Sequence, residues 1–261
     1  MSFDNILWEL DSAGIAWIRV NRPAKLNALS CAVIGELEQA FSEAASEAAV
    51  RALVITGVGD KAFVAGADIS ELASLSPGQM RQVALRGQRV FRMLETMGKP
   101  SVAAVNGYAL GGGLELAMAA TVRFAAENAR LGQPEAKLGL TPGYGGTQRL
   151  PRLVGRGRAL ELLLSAEPVT AAEAHRIGLV NAVVPQAELV AASRAWLEKV
   201  LRHAPVAISL IMEAVDTGLD CGLEPGLRAE AAAFGLSAAT QDFREGTRAF
   251  LEKRSPGFAG K

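Results

Sequence analysis

Two glutamates in glycine-rich surroundings are the strongest candidates for catalysis in this 261-residue chain. Glu115 lies in the first turn of a predicted helix that opens at residues 111–113 (GGG), and Glu135 follows in the segment 132–135 (GQPE). A helix, a turn, a strand and a loop fit between them, so the chain can return Glu135 close to Glu115. Two such carboxylates could add or remove a proton beside an activated carbonyl group, with water as the nucleophile. Taken singly, each glutamate is equally typical of an ordinary helix start.

Two loops with small residues could supply backbone hydrogen-bond donors to that carbonyl group. Residues 111–113 follow a predicted strand and open a helix, so their N–H groups lie at the positive end of a helix dipole and can bind an anion. Residues 65–68 (AGAD) follow the strand at 51–57 (RALVITG), and their small side chains would let an oxygen approach the main chain. A glycine triplet alone is most often a plain turn. Together the two loops predict an oxyanion hole.

Other catalytic chemistries lack the residues they need. Cys31 and Cys221 have no C-x-x-C partner, which argues against a zinc site or a disulfide framework, and we expect no metal. His175 and His203 belong to no metal-binding pattern, and no G-x-S-x-G segment or phosphate loop is present. Carboxylates or backbone groups must therefore carry any catalysis.

The composition excludes several partners. Half of the residues are hydrophobic and 21% are charged, which suffices for a compact globule. The chain has 27 Lys and Arg against 27 Asp and Glu, so no overall positive field favours nucleic acid. No apolar run reaches the ~18 residues of a membrane span, and the amino terminus does not resemble a signal peptide. We expect a cytoplasmic protein in a reducing compartment that binds neither nucleic acid nor membrane.

Strands and helices alternate along the first two thirds of the chain, which is typical of an α/β fold. After residue 147 the pattern is mostly helical, with one short strand at 180–184. We therefore expect a strand–helix core over residues 1–185 and a helical region over 186–261. Before residue 147, the predicted elements are a strand pair within 1–20, a helix capped by Ser30 and running to about 49, a strand at 51–57, a loop at 57–68, a helix at 79–97, a strand at 101–107, a helix at 114–120 and a strand at 121–125.

Six segments along the chain carry a resemblance to known proteins. They are 22–30 (RPAKLNALS), 61–69 (KAFVAGADI), 106–118 (NGYALGGGLELAM), 132–150 (GQPEAKLGLTPGYGGTQRL), 178–181 (GLVN) and 250–258 (FLEKRSPGF). In this order they resemble the enoyl-CoA hydratase/isomerase family, the crotonases. The resemblance covers nearly the whole chain and implies a crotonase-like β-β-α superhelix core that holds the acyl-CoA site. It also implies a C-terminal α-helical trimerisation region, hence a homotrimer or a homohexamer.

The resemblance implies a role for each motif residue. The N–H groups of Ala67 and Gly112 would hold the thioester oxygen and stabilise an enolate-like anion. Glu115 and Glu135 would activate a water for attack at C3 and deliver a proton to C2, with Glu135 as the donor to C2. The backbone of Gly143 would contact that water.

Further positions match family contacts with the substrate. The substrate brings coenzyme A with it, so no separate cofactor is expected. The Ala65 main chain matches a contact to the adenine ring, and two positions in the tail match contacts from a neighbouring subunit. The residues implied in substrate and coenzyme A binding are Lys61, Ala65, Asp68, Ile69 and Gly143, together with Phe250 and Lys253 of the neighbouring subunit.

Two positions depart from the family pattern. Thr121 stands where many members have Asp, and we expect a structural role for it. Tyr144 stands where many hydratases have Ala and could narrow the acyl pocket.

The implied activity is hydration of a trans-2-enoyl-CoA to a 3-hydroxyacyl-CoA, a lyase reaction of fatty acid β-oxidation. Double-bond isomerisation with one carboxylate and non-catalytic acyl-CoA binding remain the alternatives.

Overall fold

Ten strands form two sheets in the computed structural model, which describes residues 3–261. The strands are β1 Ile6–Leu10, β2 Ile15–Val20, β3 Ala52–Gly57, β4 Ala62–Val64, β5 Ser101–Val105, β6 Tyr108–Leu110, β7 Val122–Ala126, β8 Arg130–Gly132, β9 Val169–Thr170 and β10 Ala182–Val184. The helices are α1 Cys31–Ser46, α2 Ile69–Leu72, α3 Pro77–Thr96, α4 Gly112–Ala119, α5 Gly146–Val154, α6 Arg156–Ser165, α7 Ala171–Arg176, α8 Leu189–Val200, α9 Pro205–Asp220, α10 Leu223–Ala238 and α11 Gln241–Leu251.

The two sheets are built from the same repeating unit. One sheet has the order β1-β2-β3-β5-β7-β10 and is parallel except for the β1–β2 hairpin, and the other has the order β4-β6-β8-β9. Strands β3, β5 and β7 of the first sheet are each followed directly by a strand of the second sheet. This β-β-α succession, ending in several helices, confirms the predicted α/β fold class.

The central strands of the six-stranded sheet, β2, β3, β5 and β7, are buried on both faces, as their nearly continuous apolar sequences require. Ile18 and Leu53 face a core cluster that contains residues of α1, α3 and α4. Trp17 and Val54 alternate with them and face the other side, where Leu189 and Leu197 of α8 cover the sheet. The packing thus places α8 with the core.

Capping residues fix where the helices beside the site begin. The Ser30 hydroxyl accepts the Val33 N–H at 3.2 Å, which confirms the predicted start of α1. Ser76 and Gln79 form a reciprocal capping box at the start of α3, where Pro77 occupies the first helical position. These caps satisfy backbone N–H groups in the first turns of α1 and α3.

The sequence-based assignment was incomplete where strands are very short. Residues 57–68, predicted as a loop, contain β4, and the second-sheet strands β6, β8 and β9 were not predicted as strands. These strands have two or three residues each, which is too short for a hydrophobic periodicity to indicate a strand. They are extended because they pair with segments that are distant in sequence.

The last three helices expose apolar side chains. Helices α9 and α10 pack mainly on each other, and Ile211, Val215, Phe234 and Phe250 are each more than half exposed.

The division of the chain between residues 185 and 186 stays a prediction, and the first two residues of its core half lie outside the described residues. Within residues 3–261, no helix combines the length and the apolar character that a bilayer crossing requires.

Candidate active site

Glu115 is buried inside the molecule with its carboxylate held by two backbone amides. Helix α4 begins immediately after β6, and the Glu115 side chain in its first turn is 1% exposed. Its Oε1 accepts the N–H of Tyr144 at 2.8 Å and that of Gly146 at 2.7 Å. Burial raises the pKa of Glu115 to about 7, the two amides oppose this rise, and the charge of Glu135 adds to it. Glu115 can therefore exchange a proton near neutral pH.

Glu135 lies across the same cavity, at the start of a 3₁₀ turn over Glu135–Leu138. Burial raises the pKa of its carboxyl group. A Cβ atom on Gly111 would lie 2.9 Å from Oε1 of Glu135, and Gly111 has φ +49°, so only glycine fits there. With its amide nitrogen towards Glu135, the fully buried Gln133 donates to both carboxylate oxygens at 2.9 and 3.0 Å. Gln133 therefore orients Glu135.

Two backbone N–H groups of residues that line this cavity have no acceptor among residues 3–261. Gly112 is the first residue of α4, so its N–H has no intrahelical partner. Beside Ala67, Leu29 donates to the Gly66 carbonyl and accepts the Asp68 N–H, both at 2.8 Å, which fixes the segment. The Ala67 N–H itself donates no hydrogen bond within residues 3–261. Both amides are free to bind one oxygen atom, as an oxyanion hole requires.

The cavity is small and mainly apolar. Its volume is about 160 Å³, below the ~300–1,000 Å³ of typical small-molecule sites. The polar side chains in its lining are those of Glu115, Glu135, Thr141 and Tyr144, and backbone atoms add to them. Its apolar walls come from the Tyr144 ring together with Ile69, Leu72, Met80, Val83, Ala84, Pro134, Leu138 and Leu140.

The structure brings most of the predicted site residues together. The lining of this one cavity includes Ala65, Ala67, Ile69, Gly112, Glu115, Glu135 and Gly143.

Asp68 lies beside the cavity without lining it. Its carboxylate accepts hydrogen bonds from Ser70 at 2.6 Å and Arg22 at 3.0 Å, and Lys25 lies at 3.5 Å. The hydrogen bonds from Ser70 and Arg22 lower the pKa of Asp68 to about 2. Asp68 thus anchors the loop that carries Ala67, and its role in substrate binding stays a prediction.

The remaining predicted contacts are not assembled within one subunit. The Lys61 side chain is exposed, and its carbonyl accepts the Tyr108 N–H at 3.0 Å. Phe250 is 83% exposed on α11 and lines a different cavity, and Lys253 follows the end of that helix. A role of Phe250 and Lys253 in a neighbouring subunit's site stays a prediction.

Sequence reasoning missed the groups that hold the catalytic candidates. Gln88 of α3 donates to the Gly143 carbonyl at 2.8 Å, and the Gly143 N–H donates no hydrogen bond within residues 3–261. Gln133 lies in the motif at residues 132–135, but no sequence pattern indicates a role for Gln88. Thr121 has the expected structural role, since its backbone and hydroxyl groups bond reciprocally with those of Ser101 at 3.0 Å.

The raised pKa of Glu115 predicts a pH-dependent cost in stability. Its ordinary pKa is 4.5, so the folded state holds the proton more tightly than the unfolded state, and the free energy of unfolding falls as the pH rises from about 5 to about 7. Gln cannot ionise. We therefore expect the stability of Glu115→Gln relative to the parent to be about 2–3 kcal/mol greater at pH 8 than at pH 5. Urea unfolding at both pH values and one protein concentration measures this, and a pH-independent difference would contradict it.

Comparison with known proteins identifies close relatives over the whole chain. Residues 11–261 match a family model described as "Enoyl-CoA hydratase/isomerase". The chain is 47% identical over 261 residues to a crotonyl-CoA hydratase of Syntrophomonas wolfei, covering 100% of both chains. It is 44% identical over 254 residues to a short-chain-enoyl-CoA hydratase of Clostridium acetobutylicum, covering 97% of each. The crystal structure of an enoyl-CoA hydratase from Bacillus anthracis superposes with a TM-score of 0.95 at 40% identity, covering 99% of this chain and 100% of the other.

Proposed function

This chain belongs to the enoyl-CoA hydratase/isomerase family, and we propose that it hydrates a short-chain trans-2-enoyl-CoA to a 3-hydroxyacyl-CoA. One observation carries the proposal. Two carboxyl groups with raised pKa values and two unpaired backbone amides line the same small cavity. Relatives named crotonyl-CoA hydratase and short-chain-enoyl-CoA hydratase support the substrate class.

The two amides act on the thioester. The N–H groups of Ala67 and Gly112 bind the carbonyl oxygen, which withdraws electrons from the conjugated double bond and makes C3 electrophilic. As negative charge develops on that oxygen, both hydrogen bonds strengthen. Loss of one such donor typically raises a barrier by ~3 kcal/mol. Asp68 supports this step indirectly by holding the Ala67 loop through Arg22.

The two glutamates divide the proton transfers. The amides of Tyr144 and Gly146 favour the ionised form of Glu115, and its Oε2 accepts no hydrogen bond within residues 3–261 and can bind water. Glu115 takes a proton from water as the oxygen attacks C3, while protonated Glu135 gives a proton to C2. The pair holds one proton before and after the step, and exchange with solvent restores the starting state. Coenzyme A enters with the substrate, so the reaction needs no separate cofactor.

A direct assay tests the proposed activity. Purified protein incubated with crotonyl-CoA should remove the absorbance of the conjugated enoyl thioester and form 3-hydroxybutyryl-CoA. A parallel incubation with a 3-enoyl-CoA measures double-bond isomerisation. Isomerisation without hydration would assign the isomerase reaction instead, and binding of crotonyl-CoA without either reaction would indicate a binding protein.

We also propose that the protein assembles as a trimer or hexamer through its last three helices. The support is the apolar surface that α9, α10 and α11 expose in one subunit, which includes Phe234 at 80% and Ile211 at 63% exposed. Closed symmetry would cover such a surface. It would also allow Phe250 and Lys253 to reach the coenzyme A bound by a neighbour.

Disrupting this surface should dissociate the assembly. Ile211→Asp places a charge on the apolar face of α9 and is expected to lower the mass measured by sedimentation equilibrium, together with a loss of hydratase activity. Leu164→Asp is the matched control, because Leu164 is 74% exposed on α6 of the core. A parent protein that sediments as a fully active monomer at micromolar concentration would contradict the proposal.

A further inference from the structure

The Tyr144 ring occupies space that is free because two neighbouring residues are glycines. A Cβ atom on Gly87 of α3 would lie 2.3 Å from Cδ1 of Tyr144, and one on Gly112 of α4 would lie 3.1 Å from Cδ2. Phe91 meets the ring edge-on, with 5.6 Å between centroids and 83° between ring planes. The Tyr144 ring is therefore held in one position by both helices.

Gly87 has no other evident reason to be glycine. It lies in the interior of α3, where glycine is the less favourable residue for the helix, and its φ is not positive. Glycine in such a place needs a packing reason. The approach of the Tyr144 ring supplies that reason, because any side chain at position 87 would displace it.

The ring lies on the inner side of the cavity. Tyr144 is 6% exposed, whereas Leu138, Leu140 and Ile69 in the same lining are 57%, 38% and 46% exposed and mark the open side. The Tyr144 backbone N–H also donates to Glu115, so the ring belongs to the residue that holds this carboxylate. An acyl chain bound with C3 beside Glu115 and extending towards the core would meet this ring.

We propose that Tyr144 forms the end wall of the acyl subsite and that Gly87 is its necessary partner, so that this pair restricts the enzyme to short acyl chains. This inference rests on the proposed hydratase function and specifies its substrate. The wall can be removed without touching the acid–base pair, because the hydrogen bond to Glu115 comes from the Tyr144 backbone. Loss of the ring should join its volume to the cavity.

Chain-length profiles test the wall. The quantity to compare is the ratio of kcat/KM for 2-octenoyl-CoA to that for crotonyl-CoA in the parent, Tyr144→Ala and Tyr144→Phe. We expect Tyr144→Ala to raise this ratio by roughly tenfold or more, since each methylene that fits a pocket contributes ~10-fold or more. Tyr144→Phe keeps the ring, so its ratio should stay within about twofold of the parent's. An unchanged ratio in Tyr144→Ala would overturn the proposal.

Binding without turnover separates this inference from the proposed reaction. Calorimetric titration with the saturated analogues butyryl-CoA and octanoyl-CoA reports the same selectivity even if no hydration occurs. The parent should bind butyryl-CoA more tightly, and Tyr144→Ala should lose or reverse that preference. Equal affinity of the parent for both acyl-CoAs would overturn the wall while leaving the hydratase assignment intact.

A double-mutant cycle tests the Gly87–Tyr144 pair by a readout independent of ligands. Gly87→Ala alone should lower the thermal unfolding midpoint, because its methyl group collides with the ring. In the Tyr144→Ala background the same change should be neutral or raise the midpoint, since alanine favours the helix. Equal effects of Gly87→Ala in both backgrounds would show that the two residues are not coupled and would overturn the pairing.

Discussion

Replacing Glu135 with Gln is expected to lower kcat by ~10²–10⁴-fold, the usual contribution of a general acid or base. The amide preserves the size of the side chain but cannot give a proton to C2. KM should change much less, because the coenzyme A portion binds away from the reacting carbons and contributes equally to the ground and transition states. Steady-state kinetics with crotonyl-CoA measures both constants.

A surface substitution provides the control for this result. Glu127 is an exposed glutamate at the end of β7, so Glu127→Gln should leave both constants unchanged. Unchanged turnover in Glu135→Gln would remove Glu135 from the mechanism. A large rise in KM with kcat preserved would instead give Glu135 a role in binding alone.

Glu115→Gln is expected to reduce hydration by a similar factor while any isomerase side activity survives better. Hydration needs Glu115 as the carboxylate that takes a proton from water, whereas moving a double bond requires only proton exchange by one carboxyl group. The Gln side-chain oxygen can still accept the N–H groups of Tyr144 and Gly146, so the active-site backbone should keep its position. Parallel assays with crotonyl-CoA and a 3-enoyl-CoA measure the two reactions.

Which of the two activities, hydration or isomerisation, is lost first in Glu115→Gln tests the roles assigned to Glu115 and Glu135. Loss of isomerisation before hydration in Glu115→Gln would show that the division of labour between Glu115 and Glu135 is wrong. The unfolding experiment at pH 5 and pH 8 accompanies these assays, since it shows whether the variant is folded when its activity is measured.

The proximity of the two glutamates could be inferred from the sequence, although the element that produces it could not. The motifs at 111–113 and 132–135 indicated that the chain brings Glu135 back close to Glu115. Strand β8 pairs in parallel with β6, with Leu110 opposite Gly132, and the Gly111 N–H donates to the Gly132 carbonyl at 2.9 Å. This pairing joins the two motifs, but a three-residue strand has no sequence pattern of its own.

The supporting groups of the site are set by tertiary contacts. Gln88 reaches Gly143 from another helix, and the amides that hold Glu115 lie at the start of α5 and two residues before it. Such contacts join residues far apart in sequence, and the side-chain types alone do not pair them. Asp68 illustrates the same limit, because its motif does not reveal the ion pair with Arg22 that anchors its carboxylate, and its predicted substrate contact stays a prediction.

Hydration of crotonyl-CoA in ¹⁸O-labelled water tests the central claim most directly, because it follows the atom that the Glu115–Glu135 pair is proposed to add. Mass spectrometry of the product from the parent protein should show one ¹⁸O atom in the C3 hydroxyl group of 3-hydroxybutyryl-CoA, formed at a rate that falls ~10²–10⁴-fold in Glu135→Gln. Absence of the labelled product in the parent, or its formation at the same rate in Glu135→Gln, would contradict the account.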